Sequence, residues 1–126
     1  MSASVPEVRG RLLRCALDYP EAWEDHPWEE SVVKVGKKVF VFFGVQPDLN
    51  ENVVMTVKLP RSGDHVLHLP FAEPCGYGLG RHGWVTLSIP PADLPPVEEL
   101  EEWIDESYRA VAPARLVRQL EAAGTG

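Results

Sequence analysis

Ser31-Val32-Val33-Lys34-Val35-Gly36-Lys37-Lys38-Val39-Phe40-Val41-Phe42-Phe43 is the stretch from which the fold can be read. Two β-branched and aromatic runs, 31–35 and 38–43, flank Gly36-Lys37. A glycine at the first central position of a two-residue loop suits a type II′ hairpin turn. That turn sets Val35 opposite Lys38 and Lys34 opposite Val39, so lysines crowd the hairpin tip on both faces. The loop 46–52, rich in Pro, Asp and Asn, leads to a third strand over 53–59. There Val53, Met55, Val57 and Leu59 alternate with Val54, Thr56 and Lys58, the pattern of a half-buried strand. The three strands form an antiparallel meander.

On the N-terminal side, Ser4-Val5-Pro6-Glu7 reads as a capping box, and Val8, Leu12, Cys15, Ala16 and Tyr19 recur at helical spacing. A helix over about 5–18 follows, closed by Pro20. On the C-terminal side, Pro60-Arg61-Ser62-Gly63 breaks the third strand, and 64–69 suits a short helical turn. The glycine-rich loop 75–83 then runs into a strand from Trp84 to Ile89. Pro95-Pro96 opens a helix whose Val97, Leu100, Ile104, Tyr108 and Val111 share a face, with acids in its first turn where the dipole favours them. Pro113 forces a break, and Leu116, Val117 and Leu120 mark a last helix ending near Gly124. The order predicts an α+β fold: an antiparallel sheet, meander plus further strand, with an N-terminal helix and two C-terminal helices packed on it. At 126 residues the chain has room for one domain, 1–126.

The charge is patterned. Lys and Arg number 12 against 19 Asp and Glu, a net of −7. Six acids and no base lie in 18–30, and seven acids and no base in 93–106. The segment between them is slightly basic. The net field repels nucleic acid at long range and leaves room for a local basic surface. Both acidic runs read as solvated faces. No apolar run is long enough to span a bilayer, and residues 1–7 lack the pattern of a signal peptide. Cys15 and Cys75 form no recognisable pair, so reduced thiols in a cytoplasmic protein are expected, with no membrane partner.

Catalytic motifs are absent. Gly78-Leu79-Gly80-Arg81-His82-Gly83 matches the spelling of the dinucleotide-binding glycine motif. A strand follows it, however, where that motif needs a helix N-terminus for the pyrophosphate. His65, His68, Cys75 and His82 offer zinc-type atoms in no ligand spacing, and Cys75 with His82 carries no nucleophile signature. The chain is therefore read as non-enzymatic, without cofactor or metal.

What remains is basic and aromatic: Lys34, Lys37, Lys38, Lys58, Arg61 and Arg81, with Tyr77, His82 and Trp84. A β-ribbon tip can enter a groove or straddle phosphates. Lysines at such a tip also serve to blunt a sheet against edge-to-edge pairing. Trp28, Trp84 and Trp103 suit core or core-rim positions.

Several blocks, in order, resemble the MmcQ/YjbR family: His26-Pro27-Trp28-Glu29, Lys34-Val35-Gly36-Lys37-Lys38-Val39-Phe40 and Val57-Lys58-Leu59. Gly76-Tyr77-Gly78 through His82-Gly83-Trp84-Val85, Trp103-Ile104-Asp105-Glu106-Ser107-Tyr108 and Val111-Ala112-Pro113 continue the match. Lys37 departs from it, since that turn more often holds a second glycine. The resemblance implies a compact fold similar to the frataxin homologue CyaY and to the double-wing DNA-binding domain of a phage transcription factor. It implies a DNA-binding role on fold analogy. On that reading the six bases contact phosphates of double-stranded DNA, weakly and with steep salt dependence, while Tyr77, His82 or Trp84 stack or shape the surface. A protein-interaction module docking an unidentified partner on the tyrosine-glycine loop and sheet face is the alternative. Frataxin-like weak metal binding on the acids of 21–30, among them Glu21, Glu24, Asp25 and Glu29, is a further one.

Overall fold

A computed structural model describes residues 5–25, 31–43, 53–74 and 83–124. Helix α1, Val5–Leu17, leads through a turn at Glu21 into a short strand β1, Ala22–Asp25. Glu21 takes φ 58°, alone among the described non-glycine residues in having a positive φ. The hairpin follows as β2, Ser31–Val35, and β3, Lys38–Phe43. Gly36 has φ 63° and Lys37 an ordinary negative one, the sign pattern of a type II′ turn. Val35 pairs with Lys38 and Lys34 with Val39, as the turn requires.

Farther from the tip the register slips. Val33 pairs with Val41, which leaves Phe40 as the extra residue of a β-bulge. Neighbours on a regular strand point to opposite faces, but here Phe40 and Val41 both enter the core. Next come β4, Val53–Lys58, the one-turn helix α2, Gly63–Val66, then β5, Ala72–Pro74, and β6, Trp84–Ile89. A 3₁₀ turn at Pro91–Asp93 precedes α3, Val97–Val111, and α4, Ala114–Gly124.

The six strands form one antiparallel sheet in the order β1-β2-β3-β4-β6-β5. The meander and the strand at 84–89 are as expected. The edge strands β1 and β5 are additional, and both are short. β1 carries two acids and β5 a proline, features that blunt a sheet edge. One face of the sheet, with Val33, Val41, Met55, Val57, Val85 and Leu87, packs against Leu12 of α1, Leu100 and Ile104 of α3 and Leu116 of α4. α3 lies across β3 and β4. The opposite, outer face presents Trp23, Lys34, Val39, Phe42, Thr56, Lys58 and Trp84. The capping residue Ser4 and Trp28 lie outside the described residues, and Trp103 is buried in the core.

Candidate functional site

Three consecutive residues of α3 shape the surface that matters. Glu106 reaches to the start of α2, where its carboxylate accepts the N–H groups of Arg61 (2.8 Å) and Ser62 (2.9 Å) and the Ser62 hydroxyl (2.6 Å). These are helix-entry donors that have no partner inside the helix, so a residue forty-four positions away caps it. Partial burial opposes ionisation of Glu106, but the Ser62 and Arg61 hydrogen bonds and the Arg61 charge outweigh it and hold the carboxyl below its ordinary range. Tyr108 donates to the Pro20 carbonyl at 2.8 Å, and its ring stacks on Tyr19 and meets Phe40 edge-on.

Ser107, fully buried, sits between them and beneath the sheet. The β3–β4 ladder ends at Val41 opposite Val57. One residue farther on, the Phe40 carbonyl and the Lys58 N–H would face each other. Both turn instead to Ser107: its hydroxyl accepts the Lys58 N–H at 2.8 Å and donates to the Phe40 carbonyl. A side chain from α3 thus substitutes for a ladder bond, and the two strands part.

Past that point a cleft of about 320 Å³ opens between β3 and β4. Val39 and Phe42 of β3, Lys58 of β4 and Trp84 of β6 line it from the outer face, with Lys38 beside the turn. Ala110 and Val111, one turn beyond Ser107 on α3, line it from the helix side. Phe42 and Trp84 meet edge to face at 5.6 Å between ring centres and 72° between planes.

The expected basic set is divided by this arrangement. Lys38, Lys58 and Trp84 share the cleft, and Lys37 is exposed at the adjoining hairpin turn. Of the core or core-rim positions expected for Trp84, the half-buried one on the outer face is the one it takes. Lys34 is engaged within the molecule: its ammonium lies 2.8 Å from Asp25 and 5.1 Å from the centre of the Trp23 ring. Arg61 lines a different cleft, with Glu106 and Arg109. Tyr77, Arg81 and His82 lie outside the described residues, as does Cys75. Phe42, Ala110 and Val111 were not legible as site residues, because an apolar residue on a strand or helix gives no sign that a gap will expose it.

Paired and unpaired cations occur on both sides of the sheet. On the helical side Arg11 bonds Glu101 and pairs with Glu98, Arg109 bonds Asp105 and Glu121, and Arg115 bonds Glu21, while Arg14 and Arg118 are exposed without an acidic partner among the described residues. On the outer face Lys37, Lys38 and Lys58 pair with no acid among the described residues.

The acids of 21–30 have jobs in the fold: Glu21 holds Arg115, Asp25 holds Lys34, and Glu24 accepts the Ser31 hydroxyl at 2.5 Å. Glu29 lies outside the described residues. Among the described residues no group of three or more His, Cys, Asp or Glu side chains is placed to hold a metal ion. His68 turns its Nδ1 to the Asp64 carbonyl at 2.7 Å, within its own turn. The Cys15 thiol is pushed up to about 12, first by burial and then by the negative charge of Glu101 and its hydrogen bond to it, so it is not a poised nucleophile.

An open antiparallel sheet with helices on one face and a split, lysine-lined outer face defines a small α+β fold. The chain belongs to the YjbR family, whose model matches residues 17–110. The crystal structure of Deinococcus radiodurans protein DR2400, which carries a DUF419 domain, is similar in fold, with a TM-score of 0.66. It is 23% identical to this chain, over 94% of this chain and 88% of that one. No curated protein matches the chain. Among the described residues no helix is long and apolar enough to cross a membrane.

Proposed function

We propose that this protein is a non-enzymatic cytoplasmic domain that binds DNA through the outer face of its sheet. Lys37, Lys38 and Lys58 contact phosphates, and the Phe42–Trp84 pair supplies the apolar surface beside them. The observation that carries this reading is the clustering of unpaired lysines at one end of the outer face. Lys37, Lys38 and Lys58 gather there without an acidic partner among the described residues; on the helices Arg11, Arg109 and Arg115 are tied to carboxylates, and the unpaired Arg14 and Arg118 stand on two different helices, α1 and α4. Unpaired cations on a chain of net charge −7 form a local attractive patch within a repulsive field. Such a patch gives weak, salt-sensitive binding.

The test is a titration of labelled duplex and single-stranded DNA at two ionic strengths, with the parent chain and with Lys37→Glu combined with Lys38→Glu. Binding that weakens steeply with salt and disappears in the double variant is the expected result. A double variant that binds as the parent does would remove this face from consideration.

A further inference from the structure

We infer that the β3–β4 cleft is a pocket for a single phosphorylated nucleoside, with the base against the Phe42–Trp84 pair and the phosphate between Lys38 and Lys58. This rests on the nucleic-acid reading of the outer face and says what part of the ligand enters the sheet. Three features of the cleft select the occupant.

Its size comes first. Ligand pockets run from roughly 300 to 1,000 Å³, and about 320 Å³, at the low end of that range, is of the size of one nucleotide. Its walls come second. An edge-to-face contact between Phe42 and Trp84 leaves ring face unoccupied, and a ring face is what a nucleobase stacks on. Val39, Ala110 and Val111 add apolar lining suited to a flat aromatic group and ill suited to a bare phosphate. Charge is the third. Lys38 and Lys58 stand on the two strands that part, so a phosphate held between them meets a cation from each side. An aliphatic anion would use the lysines and waste the rings; a neutral aromatic would use the rings and leave the lysines unanswered.

The cleft is built into the fold. Ser107 holds β3 and β4 apart by taking the main-chain groups that would otherwise join them. The pocket therefore exists before any ligand arrives, and binding does not have to break a sheet hydrogen bond.

The chemistry has two sources, a free nucleoside monophosphate or the phosphorylated 5′ end of a strand. The full chain is titrated with adenosine 5′-monophosphate, adenosine and inorganic phosphate, following heat and the indole N–H signal of Trp84. The monophosphate is expected to bind at least tenfold more tightly than adenosine or phosphate alone and to move the Trp84 signal. Ala110→Leu fills the cleft from the α3 side and is expected to abolish that binding. Lys58→Gln is expected to weaken it at least fivefold, and provides the reading if Ala110→Leu does not fold by circular dichroism.

Oligonucleotides with and without a 5′-phosphate separate the sources. A preference for the phosphorylated strand assigns the pocket to a strand end, and equal binding assigns it to the free monophosphate. Monophosphate binding no tighter than that of phosphate, or unchanged in both variants, overturns the proposal. Failure of the DNA reading is seen separately, as a parent chain that ignores duplex and single strand alike.

Discussion

The hydroxyl of Ser107 accepts the main-chain N–H of Lys58 at 2.8 Å, across forty-nine positions of sequence. With its second bond, to Phe40, this one hydroxyl replaces a rung of the β3–β4 ladder and determines where the sheet opens. A buried serine in a helix ordinarily weakens packing, yet here each polar atom involved has a partner, which is the condition for a buried polar group to be tolerated.

Ser107→Ala leaves the Lys58 N–H and Phe40 carbonyl without that partner. The expected loss is about 1–3 kcal/mol, the cost of unsatisfied buried groups. Urea denaturation measures it, and faster hydrogen exchange at the Lys58 amide localises it. A loss of only a few tenths, with the Lys58 amide still protected, would mean that β3 and β4 close and bond directly.

Glu106 should make stability pH-dependent on the acid side. Its carboxyl is held below its ordinary value in the folded chain, so its contribution is complete above the unfolded value of about 4.3. The contribution is then lost as pH falls from there through the lower folded value. Glu106→Gln should cost about 1–2 kcal/mol at neutral pH, in the range of a lost helix cap. It should also flatten the fall in melting temperature below pH 4.3 relative to the parent. Parallel curves for the two proteins would show that Glu106 does not carry that dependence.

Cys15 should be inert. A thiol pushed up to about 12 is, at pH 8, ionised to roughly one part in ten thousand. In a Cys75→Ser background, alkylation of Cys15 by iodoacetamide is expected about 1,000-fold slower than that of a free thiol under the same conditions. A rate near that of the free thiol would mean that the pocket beside Glu101 and Asp105 is open to water.

Lys34 and the hairpin-turn lysines should behave differently, although all lie within five residues of one another. Lys34→Ala removes the Asp25 pair and the contact with Trp23, and is expected to cost about 0.5–1.5 kcal/mol with little change in DNA binding. Lys37→Gln with Lys38→Gln should leave stability nearly unchanged and reduce the slope of log affinity against log salt by about 2. Equal salt slopes for the parent and the Lys37–Lys38 variant would show that these lysines touch no phosphate.

Most of the architecture was legible because it depends on local signals. Alternation at Val53, Met55 and Val57 reports a strand with one buried face, and the structure buries all three. Gly36 reports the turn, and the pairing of Lys34 with Val39 follows from its type. Pro96 and Pro113 bound α3 because proline starts helices and cannot continue them. β1 was hidden in an acidic run: four residues with two acids carry no apolar period, and they form a strand only because the β2 edge offers hydrogen bonds. β5 was hidden for a similar reason, being three residues long and ending in proline.

The site was legible only in part. Lysines and a tryptophan near a hairpin announce a charged, aromatic surface, and Lys38, Lys58 and Trp84 do come together. Composition cannot say which lysine is already used; the position of Asp25 across β1–β2 decided that for Lys34. Nor does the sequence say that the sheet is split. Strand patterns describe which face of a strand is buried, a property of each strand alone. The β3–β4 gap depends on a hydroxyl delivered by a helix more than forty residues downstream, and that meeting exists only once α3 has packed across the sheet. Local periodicity determined the elements and their order, whereas the cleft arose from hydrogen-bond competition between distant segments, which only the assembled fold resolves.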